Sequence, residues 1–325
     1  MAIIKSITCT EDCPDSTPEA LKKFAMLSAE RSRRKKPQSV TISACIVILL
    51  FSCACSAFTQ NARLRDVNIR STVDAISVSA DNAARRQTII RELEKIGIEH
   101  RKEDFTIGPF SGVNIVATVA GAQKPSRIFL LGAYYDRVSK GEGALDNASG
   151  CAALLSLLAK FKAAPLKNYT IKAIFFDLEK EGRIGSQMHF GILQKVGGVL
   201  PDNALNMDIF AYGSTLFTFA SNPEGGLANA LKNAAKGTPI DVRFIAEPEY
   251  SSGDHQSMAS AGIETLGLAL VDGAEIDQAL KSGKPPRILT IIDTADDTRD
   301  KVRTQEIEKA LKIVEKTIRL VDEKD

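Results

Sequence analysis

The sequence predicts an α/β domain over residues 60–325, with a mostly parallel (mixed) central sheet sandwiched by helices. Past residue 60 the hydrophobic pattern switches repeatedly between strand-like alternation and helix-like spacing, which is typical of strands joined by covering helices. A hydrophobic content of 44% in a chain of 325 residues is sufficient for a sizeable core. Ligands of such sheets bind beyond the carboxyl ends of the strands, so functional side chains are expected there.

The elements follow from spacing and turn signals. An amphipathic helix is predicted over 82–96, closed by Gly97, a residue that commonly ends helices. Runs rich in β-branched and aromatic residues predict strands, and longer periodic runs predict helices. The strands are 113–120, 128–133, 169–176, 205–210, 216–220, 242–246 and 264–270, and the next helices are 148–161, 186–195 and 227–235. The final helix has one apolar face, formed by Ile307, Leu311, Val314, Ile318 and Val321.

The first 59 residues have the composition of a targeting segment. Basic residues at 31–36 (RSRRKK) precede an apolar run at 40–51 and small residues at 52–57, the three parts of a secretory signal. The uncharged stretch 39–59 is also long enough to span a bilayer if it stays uncleaved. A third alternative is lipid attachment at Cys53, where the sequence Leu-Phe-Ser-Cys loosely resembles a bacterial lipobox.

The chain is therefore divided into three parts. We expect residues 1–38 to be a basic cytoplasmic n-region, with Met26 as an alternative start. Residues 39–59 are expected to be a signal-peptide core or a membrane anchor, and residues 60–325 the exported domain. This arrangement places the domain in the cell envelope, either periplasmic or anchored to the membrane on the outer side.

Composition argues against several function classes. A net charge of +2 without a basic stripe, and the absence of Trp, give no indication of a nucleic-acid partner. Five of the six cysteines lie in the first 55 residues, and the remaining Cys151 falls in an apolar helix pattern, as expected of a small buried residue. The sequence contains no dinucleotide fingerprint, phosphate-binding loop or nucleophile elbow.

Six segments that follow predicted strands or turns carry acidic residues. They are GAYYDRV (132–138), GALDNASG (143–150), FFDLEKEGRIGS (175–186), NMDIFAYG (206–213), SSGDHQSMASAGI (251–263) and IIDTADDTRDKV (291–302). Taken singly, each is consistent with a helix cap or a solvated turn. In this order and spacing, they resemble the co-catalytic zinc exopeptidases, a family that includes bacterial leucyl aminopeptidases and glutaminyl cyclases. The resemblance covers residues 80–325 and implies their aminopeptidase-like fold.

The resemblance implies five metal-ligand positions. An Asp that bridges both zinc ions matches Asp146, and an Asp on the first zinc matches Asp208. The other three positions are replaced. The His of the first zinc is Tyr134, while the Glu and the His of the second zinc are Lys180 and Asp293.

The resemblance also assigns residues that do not bind metal. The family's general base, which activates the bridging water, matches Glu179. Asp136, Asp254 and His255 match positions that line the site. The catalytic base position is thus retained, while most of the metal-binding set is not.

The three replacements weaken both metal positions. Catalytic zinc usually has three protein ligands and an open position for water, whose pKa it lowers. Tyrosine, with an ordinary pKa of about 10, is a poor substitute for imidazole at neutral pH. An ammonium group has no lone pair and repels a dication. We therefore hypothesise that Lys180 forms an ion-pair network with Asp146 and Asp293 in place of the second zinc.

Two functions remain open from the sequence. The preferred one is a non-catalytic relative that binds a peptide or protein ligand, because metal-free branches of this family exist as receptor or scaffold ectodomains. It would need no cofactor. The alternative is an active metalloexopeptidase that hydrolyses N-terminal residues of peptides, with Asp146, Asp208 and Asp293 holding a single divalent metal and Glu179 as base. A weaker third idea is metal-free hydrolysis by Glu179 with Lys180 or Tyr134.

Overall fold

The computed structural model describes residues 67–123, 127–245 and 252–324. The helices are α1 (Ile69–Ser77), α2 (Asn82–Lys95), α3 (Ser149–Ala163), α4 (Ile184–Lys195), α5 (Gly226–Ala235), α6 (Asp254–Ser260), α7 (Gly273–Ser282), α8 (Ile288–Ile291) and α9 (Thr304–Lys324). The strands are β1 (Glu99–Ile107), β2 (Phe110–Val119), β3 (Arg127–Tyr134), β4 (Tyr169–Phe176), β5 (Asn203–Phe210), β6 (Thr215–Ala220), β7 (Asp241–Ile245) and β8 (Glu264–Val271). The targeting segment predicted over 1–59 lies outside the described residues.

The strands form one mixed sheet in the order β1-β2-β4-β3-β5-β8-β6-β7. The pairs β4–β3, β3–β5, β5–β8 and β6–β7 are parallel, whereas β1–β2, β2–β4 and β8–β6 are antiparallel. The predicted α/β fold with a mostly parallel, mixed sheet is therefore confirmed. The central strands β3 and β5 are almost wholly buried, as expected of strands covered on both faces.

Two apolar clusters cover the two faces of the sheet. The larger contains the buried sides of α1, α2, α3, α5 and α9, and the smaller packs Phe190 of α4 and Met258 of α6 on the other face. Successive residues of β3 alternate between them, with Leu131 in the larger cluster and Leu130 in the smaller. Helix α3 is apolar nearly all round because it lies between the sheet and other helices, and Cys151 is buried there as expected.

Strand β1 was not predicted from the sequence. Its residues, EHRKEDFTI, are mostly charged or exposed, and Phe105 is its one buried side chain. It nevertheless pairs with β2 along its whole length, from Glu99 opposite Thr118 to Ile107 opposite Phe110. An edge strand buries little of either face, so main-chain pairing, rather than a hydrophobic pattern, specifies it.

Within the residues that the structure describes, no helix is both long and apolar enough to cross a bilayer.

Candidate functional site

Three neighbouring parallel strands bring the predicted site residues to one edge of the sheet. Tyr134 ends β3, and Glu179 and Lys180 follow the end of β4. Asp208 lies near the end of β5, on the other side of β3. The carboxyl ends of β3, β4 and β5 meet at this edge because the three strands run parallel. The sequence prediction depended on this geometry.

Asp146 lies at the centre of this edge, in the turn that precedes α3. Its backbone N–H and that of Leu145 donate to the carboxylate of Asp297, at 3.2 and 2.7 Å. Its own carboxylate is buried and has a partner for each oxygen. Oδ1 accepts a hydrogen bond from the Tyr134 hydroxyl, and Oδ2 lies 2.6 Å from Lys180 Nζ.

Lys180 joins the carboxylates of the site. Besides Asp146, its Nζ lies 3.2 Å from Asp293 Oδ1 and 3.8 Å from Glu179 Oε2. Burial tends to lower the pKa of this lysine, but the neighbouring carboxylates, Asp146 first among them, together outweigh burial and raise the pKa above its ordinary value. The ion-pair network predicted for Lys180, Asp146 and Asp293 is therefore present, with Asp293 at its more exposed end.

The Tyr134 hydroxyl links two carboxylates. It contacts Asp146, and it lies 2.9 Å from Asp208 Oδ1. A phenol has one proton to donate, so both contacts are favourable only if one carboxyl group carries a proton. Burial, followed by the charge of Asp146, raises the pKa of Asp208 to about 7, which is consistent with Asp208 as that group.

Asp136 holds the segment that carries Glu179 and Lys180. It is buried, and its two oxygens accept hydrogen bonds from the backbone N–H groups of Glu179 at 2.9 Å and Lys180 at 3.0 Å. Burial raises the pKa of Asp136 to about 6. Its position explains how the turn after β4 keeps Lys180 directed at Asp146.

Arg85 supports the site and was missed in the sequence. This fully buried residue of α2 donates from Nε to the carbonyl of Tyr135 at 2.6 Å. It also donates to the carbonyls of Glu142 and Gly143, at 2.9 and 3.1 Å, so it fixes both ends of the loop between β3 and Asp146. The pattern around Arg85 is that of an ordinary amphipathic helix, so no sequence signal indicates this role. Asp297 was also missed.

Glu179, Asp254 and His255 lie in a buried part of the site. Burial, followed by the charges of Asp208 and Asp254, raises the pKa of Glu179 to about 9. Burial is also the main reason that the pKa of Asp254 rises to about 8. Burial lowers the pKa of His255 to about 4, so this residue is neutral at pH 7. This edge of the sheet therefore contains carboxyl groups that stay protonated at pH values well above those at which ordinary carboxyl groups ionise.

In the ranges that the structure describes, no group of three or more His, Cys, Asp or Glu side chains is arranged to hold a metal ion. His255 is the histidine of the predicted site, and the other two lie on β1 and α4. The side chain of His189, on α4, forms a hydrogen bond of 2.6 Å with the carboxylate of Glu103 on β1.

An apolar groove begins beside the site. Its volume is about 470 Å³, and Ile209, the residue after Asp208, lies in its wall. Phe217, Val271 and Ile276 form other parts of the wall. The groove therefore adjoins the charged edge of the sheet but has an apolar lining.

The mixed sheet and its covering helices match the fold of zinc aminopeptidases of known structure. The LapA aminopeptidase of Legionella pneumophila aligns over 91% of this chain and 79% of that chain, with a TM-score of 0.63 and 15% identity. A glutaminyl cyclase of Porphyromonas gingivalis aligns over 81% of this chain and 100% of that chain, with a TM-score of 0.63 and 18% identity. At these identities the likeness shows the fold.

Peptidase family M28 matches residues 114–318, and the chain belongs to this family. The leupeptin-inactivating enzyme 1 of Streptomyces exfoliatus is 26% identical over 178 residues, which are 54% of this chain and 40% of that enzyme. The chain spans about 40% of the length of the curated relatives that it matches. The predicted membership of a co-catalytic zinc exopeptidase family is confirmed.

Proposed function

We propose that this chain is an exported, non-catalytic member of peptidase family M28 that binds a peptide or protein at the carboxyl edge of its sheet. One observation carries the proposal: Lys180 Nζ lies 2.6 Å from Asp146 Oδ2, at the residue that the family uses to bridge its two zinc ions.

The side chains present do not fit a two-zinc centre. A bridging carboxylate offers one oxygen to each metal, but both oxygens of Asp146 already have partners, the Tyr134 hydroxyl and the Lys180 ammonium. An ammonium cannot donate a lone pair, and its charge repels a dication. Instead, Lys180 supplies positive charge to carboxylates that would be costly to bury alone. The proposed function therefore does not require zinc.

Glu179 also supports a site without hydrolysis. A general base must be ionised before it can take a proton from water. Burial and the neighbouring carboxylates raise the pKa of Glu179 to about 9, so it is largely protonated at pH 7. The residue at the family's base position is therefore better suited to donate a hydrogen bond than to accept a proton.

The apolar groove indicates what kind of ligand such a site would hold. Its wall includes Ile209, Phe217 and Val271, and its volume of about 470 Å³ is sufficient for a large apolar side chain. Burial of such a side chain contributes roughly 1.5–3 kcal/mol. A peptide with an apolar residue in the groove would have its backbone beside the polar residues of the sheet edge.

The cellular location is part of the proposal and depends on the sequence. The basic, apolar and small-residue parts of the first 59 residues favour export to the cell envelope, by cleavage or by membrane anchoring. Fusion of residues 1–66 to a reporter that is active only outside the cytoplasm tests this part. An inactive reporter, with the fusion protein found in the cytoplasm, would refute export.

The alternative is an exopeptidase with an altered single-metal site. Asp146 and Asp293 both lie within ion-pair distance of one ammonium group, and Asp208 is joined to them through Tyr134. Hard oxygen donors of this kind favour magnesium, calcium or manganese over zinc. Lys180 would have to leave its present position for any of them to bind.

Metal content distinguishes the two functions. The purified full-length protein is incubated with zinc, manganese and calcium in turn, dialysed, and measured by mass spectrometry. The expected result is no stoichiometric metal. A matched variant with the family's ligands, Tyr134→His/Lys180→Glu/Asp293→His, is expected to gain zinc under the same conditions. One metal per chain in the unmodified protein, lost on Asp146→Asn, would favour the exopeptidase.

The second test asks whether the protein binds peptides without cleaving them. Short peptides with an N-terminal leucine or an N-terminal aspartate are compared by titration calorimetry, and the recovered peptides are weighed by mass spectrometry. The leucine peptides are expected to bind more tightly and to remain intact, and Ile209→Arg is expected to remove this preference. Cleavage that Glu179→Gln abolishes would refute the non-catalytic function.

A further inference from the structure

Exposed apolar side chains occur at the turn between β1 and β2 and along α4. Among the described residues, seven large apolar side chains are exposed, and four of them are Ile107, Ile192, Val196 and Val199. Ile107 lies at the turn between β1 and β2, and the other three lie on or just after α4. Val196 and Val199 are 70% and 74% exposed, which is unusual for apolar residues so close together.

The turn and the helix border a common groove. Ile107 and Phe110 from the turn, with Ile184 and Met188 from α4, line a cavity of about 500 Å³. We call the six residues Ile107, Phe110, Ile184, Met188, Ile192 and Val196 the hairpin–helix surface. It belongs to the covering helices and an edge hairpin, and its interpretation does not depend on the proposed function.

The outward face of α4 has a regular pattern. Ile184, Met188 and Ile192 follow one another at four-residue spacing, and Lys195 lies on the same side at the end of the helix. Gly191 is also on this side and is exposed. In the described part of the chain, a Cβ added to Gly191 would meet no heavy atom within 4 Å. No contact among the described residues therefore requires a glycine here, and glycine destabilises a helix by roughly 1 kcal/mol relative to alanine. A second helix that packs closely on α4 would use the space that Gly191 leaves open.

We infer that a second copy of this chain docks on the hairpin–helix surface, with the two α4 helices antiparallel. A two-fold axis at Met188 sets Ile184 of one copy opposite Ile192 of the other. The same axis sets Glu181, an exposed residue just before α4, opposite Lys195 at the end of the helix. One symmetry operation thus pairs the apolar residues with each other and the two charges with their opposites, as an isologous interface requires.

The remaining features agree with this packing. Antiparallel helices place the partially positive end of one dipole beside the partially negative end of the other. Met188 would contact its own copy on the axis, where a flexible thioether side chain adapts well. Ile192 of the second copy would lie beside Ile184, where the groove between the hairpin and α4 opens, and Val196 of that copy would follow one turn further. The groove is lined by apolar residues that such contacts would bury.

Sedimentation velocity of the full-length protein over a range of concentrations tests the inference. A dimer is expected, and Ile192→Asp is expected to weaken it by about tenfold or more. Leu280→Asp is the matched control, because Leu280 is 77% exposed elsewhere on the domain and should leave the dimer unchanged. Circular dichroism melting curves verify that both variants remain folded.

Charge exchange tests the antiparallel arrangement. Lys195→Glu or Glu181→Lys alone should weaken the dimer by about two- to fivefold, since each sets like charges opposite one another. The double exchange should restore the original affinity. A protein that stays monomeric at all concentrations, a dimer that Ile192→Asp leaves unchanged, or a double exchange that restores nothing would overturn the inference. So would a monomer that binds phospholipid vesicles through Ile192 instead.

Discussion

The candidate site buries side chains that are usually exposed, whereas the hairpin–helix surface exposes side chains that are usually buried. At the site, Asp136, Asp146 and Asp208 are buried although they can carry charge, and at the surface, Ile192 and Val196 are exposed although they are apolar. The first arrangement is stable only because Lys180, Tyr134 and backbone N–H groups compensate it from within the chain. The second has no comparable compensation among the described residues, and in the dimer that we infer, a second copy supplies it. The two regions should therefore respond very differently to substitution.

The largest effect is expected for Lys180→Met. This change leaves the Asp146 carboxylate buried without its closest counter-charge, so the free energy of unfolding should fall by about 3–5 kcal/mol. Urea denaturation at pH 7 measures it. Lys160→Met is the matched control, since Lys160 pairs with Glu315 at 2.9 Å on the surface and is 39% exposed. Its loss should cost at most about 1 kcal/mol. Equal effects would show that Lys180 does not compensate the site.

Arg85→Met should have the next largest effect. The variant leaves the carbonyls of Tyr135, Glu142 and Gly143 without their charged donor, inside the protein, and should cost about 3 kcal/mol. Arg85→Lys keeps the charge but cannot reach three carbonyls, so it should cost less. Thermal unfolding of both variants tests this order. A lysine variant as unstable as the methionine variant would show that the forked geometry, rather than the charge, is required.

Stability should fall as the pH rises from 5 to 7. Burial raises the pKa of Asp254 from 3.8 to about 8 and that of Glu179 from 4.5 to about 9. The folded state therefore holds protons that the unfolded state releases. This contribution is complete below the unfolded pKa values and is lost as the pH rises through the folded ones. For each proton that only the folded state holds, the free energy of unfolding falls by about 1.4 kcal/mol for every unit by which the pH rises.

The Asp254→Asn variant sharpens this prediction. It removes one of the titrating groups, so urea denaturation at pH 5, 6 and 7 should give a shallower dependence than in the unmodified protein. Asp296→Asn, at an exposed carboxylate, is the control and should leave the dependence unchanged. A stability that rises over this pH range would contradict the assignment of buried protonated carboxyl groups.

The smallest effect is expected at the hairpin–helix surface. Ile192→Ser should change the free energy of unfolding of the monomer by less than about 0.5 kcal/mol, because the side chain is already 43% exposed. Urea denaturation at concentrations below dimerisation measures it. A loss comparable to that of Lys180→Met would mean that Ile192 stabilises the fold itself, and the contrast between the two regions would fail.

The elements that could be predicted from the sequence are those whose pattern reflects burial. The helix expected at 82–96 is observed at Asn82–Lys95, and the strand expected at 169–176 is observed at Tyr169–Phe176. Strand β1 was missed because its residues are charged and its pairing is made by the main chain. The ion-pair network of Lys180 was predicted because the family resemblance brought Lys180, Asp146 and Asp293 to one site, where charge balance could be argued without coordinates. The roles of these residues remain predictions until metal content and binding are measured.

By itself, the sequence determined the α/β class and the family, and it predicts the positions at which this chain departs from the zinc-binding pattern. These properties depend on residue type and order along the chain, which the sequence states directly. Only the tertiary structure decided that Arg85 and Asp297 hold the loop around Asp146, and that the turn after β1 lies against α4. Such contacts join residues far apart in the chain, and they arise from the packing of helices on the sheet. No local pattern records them.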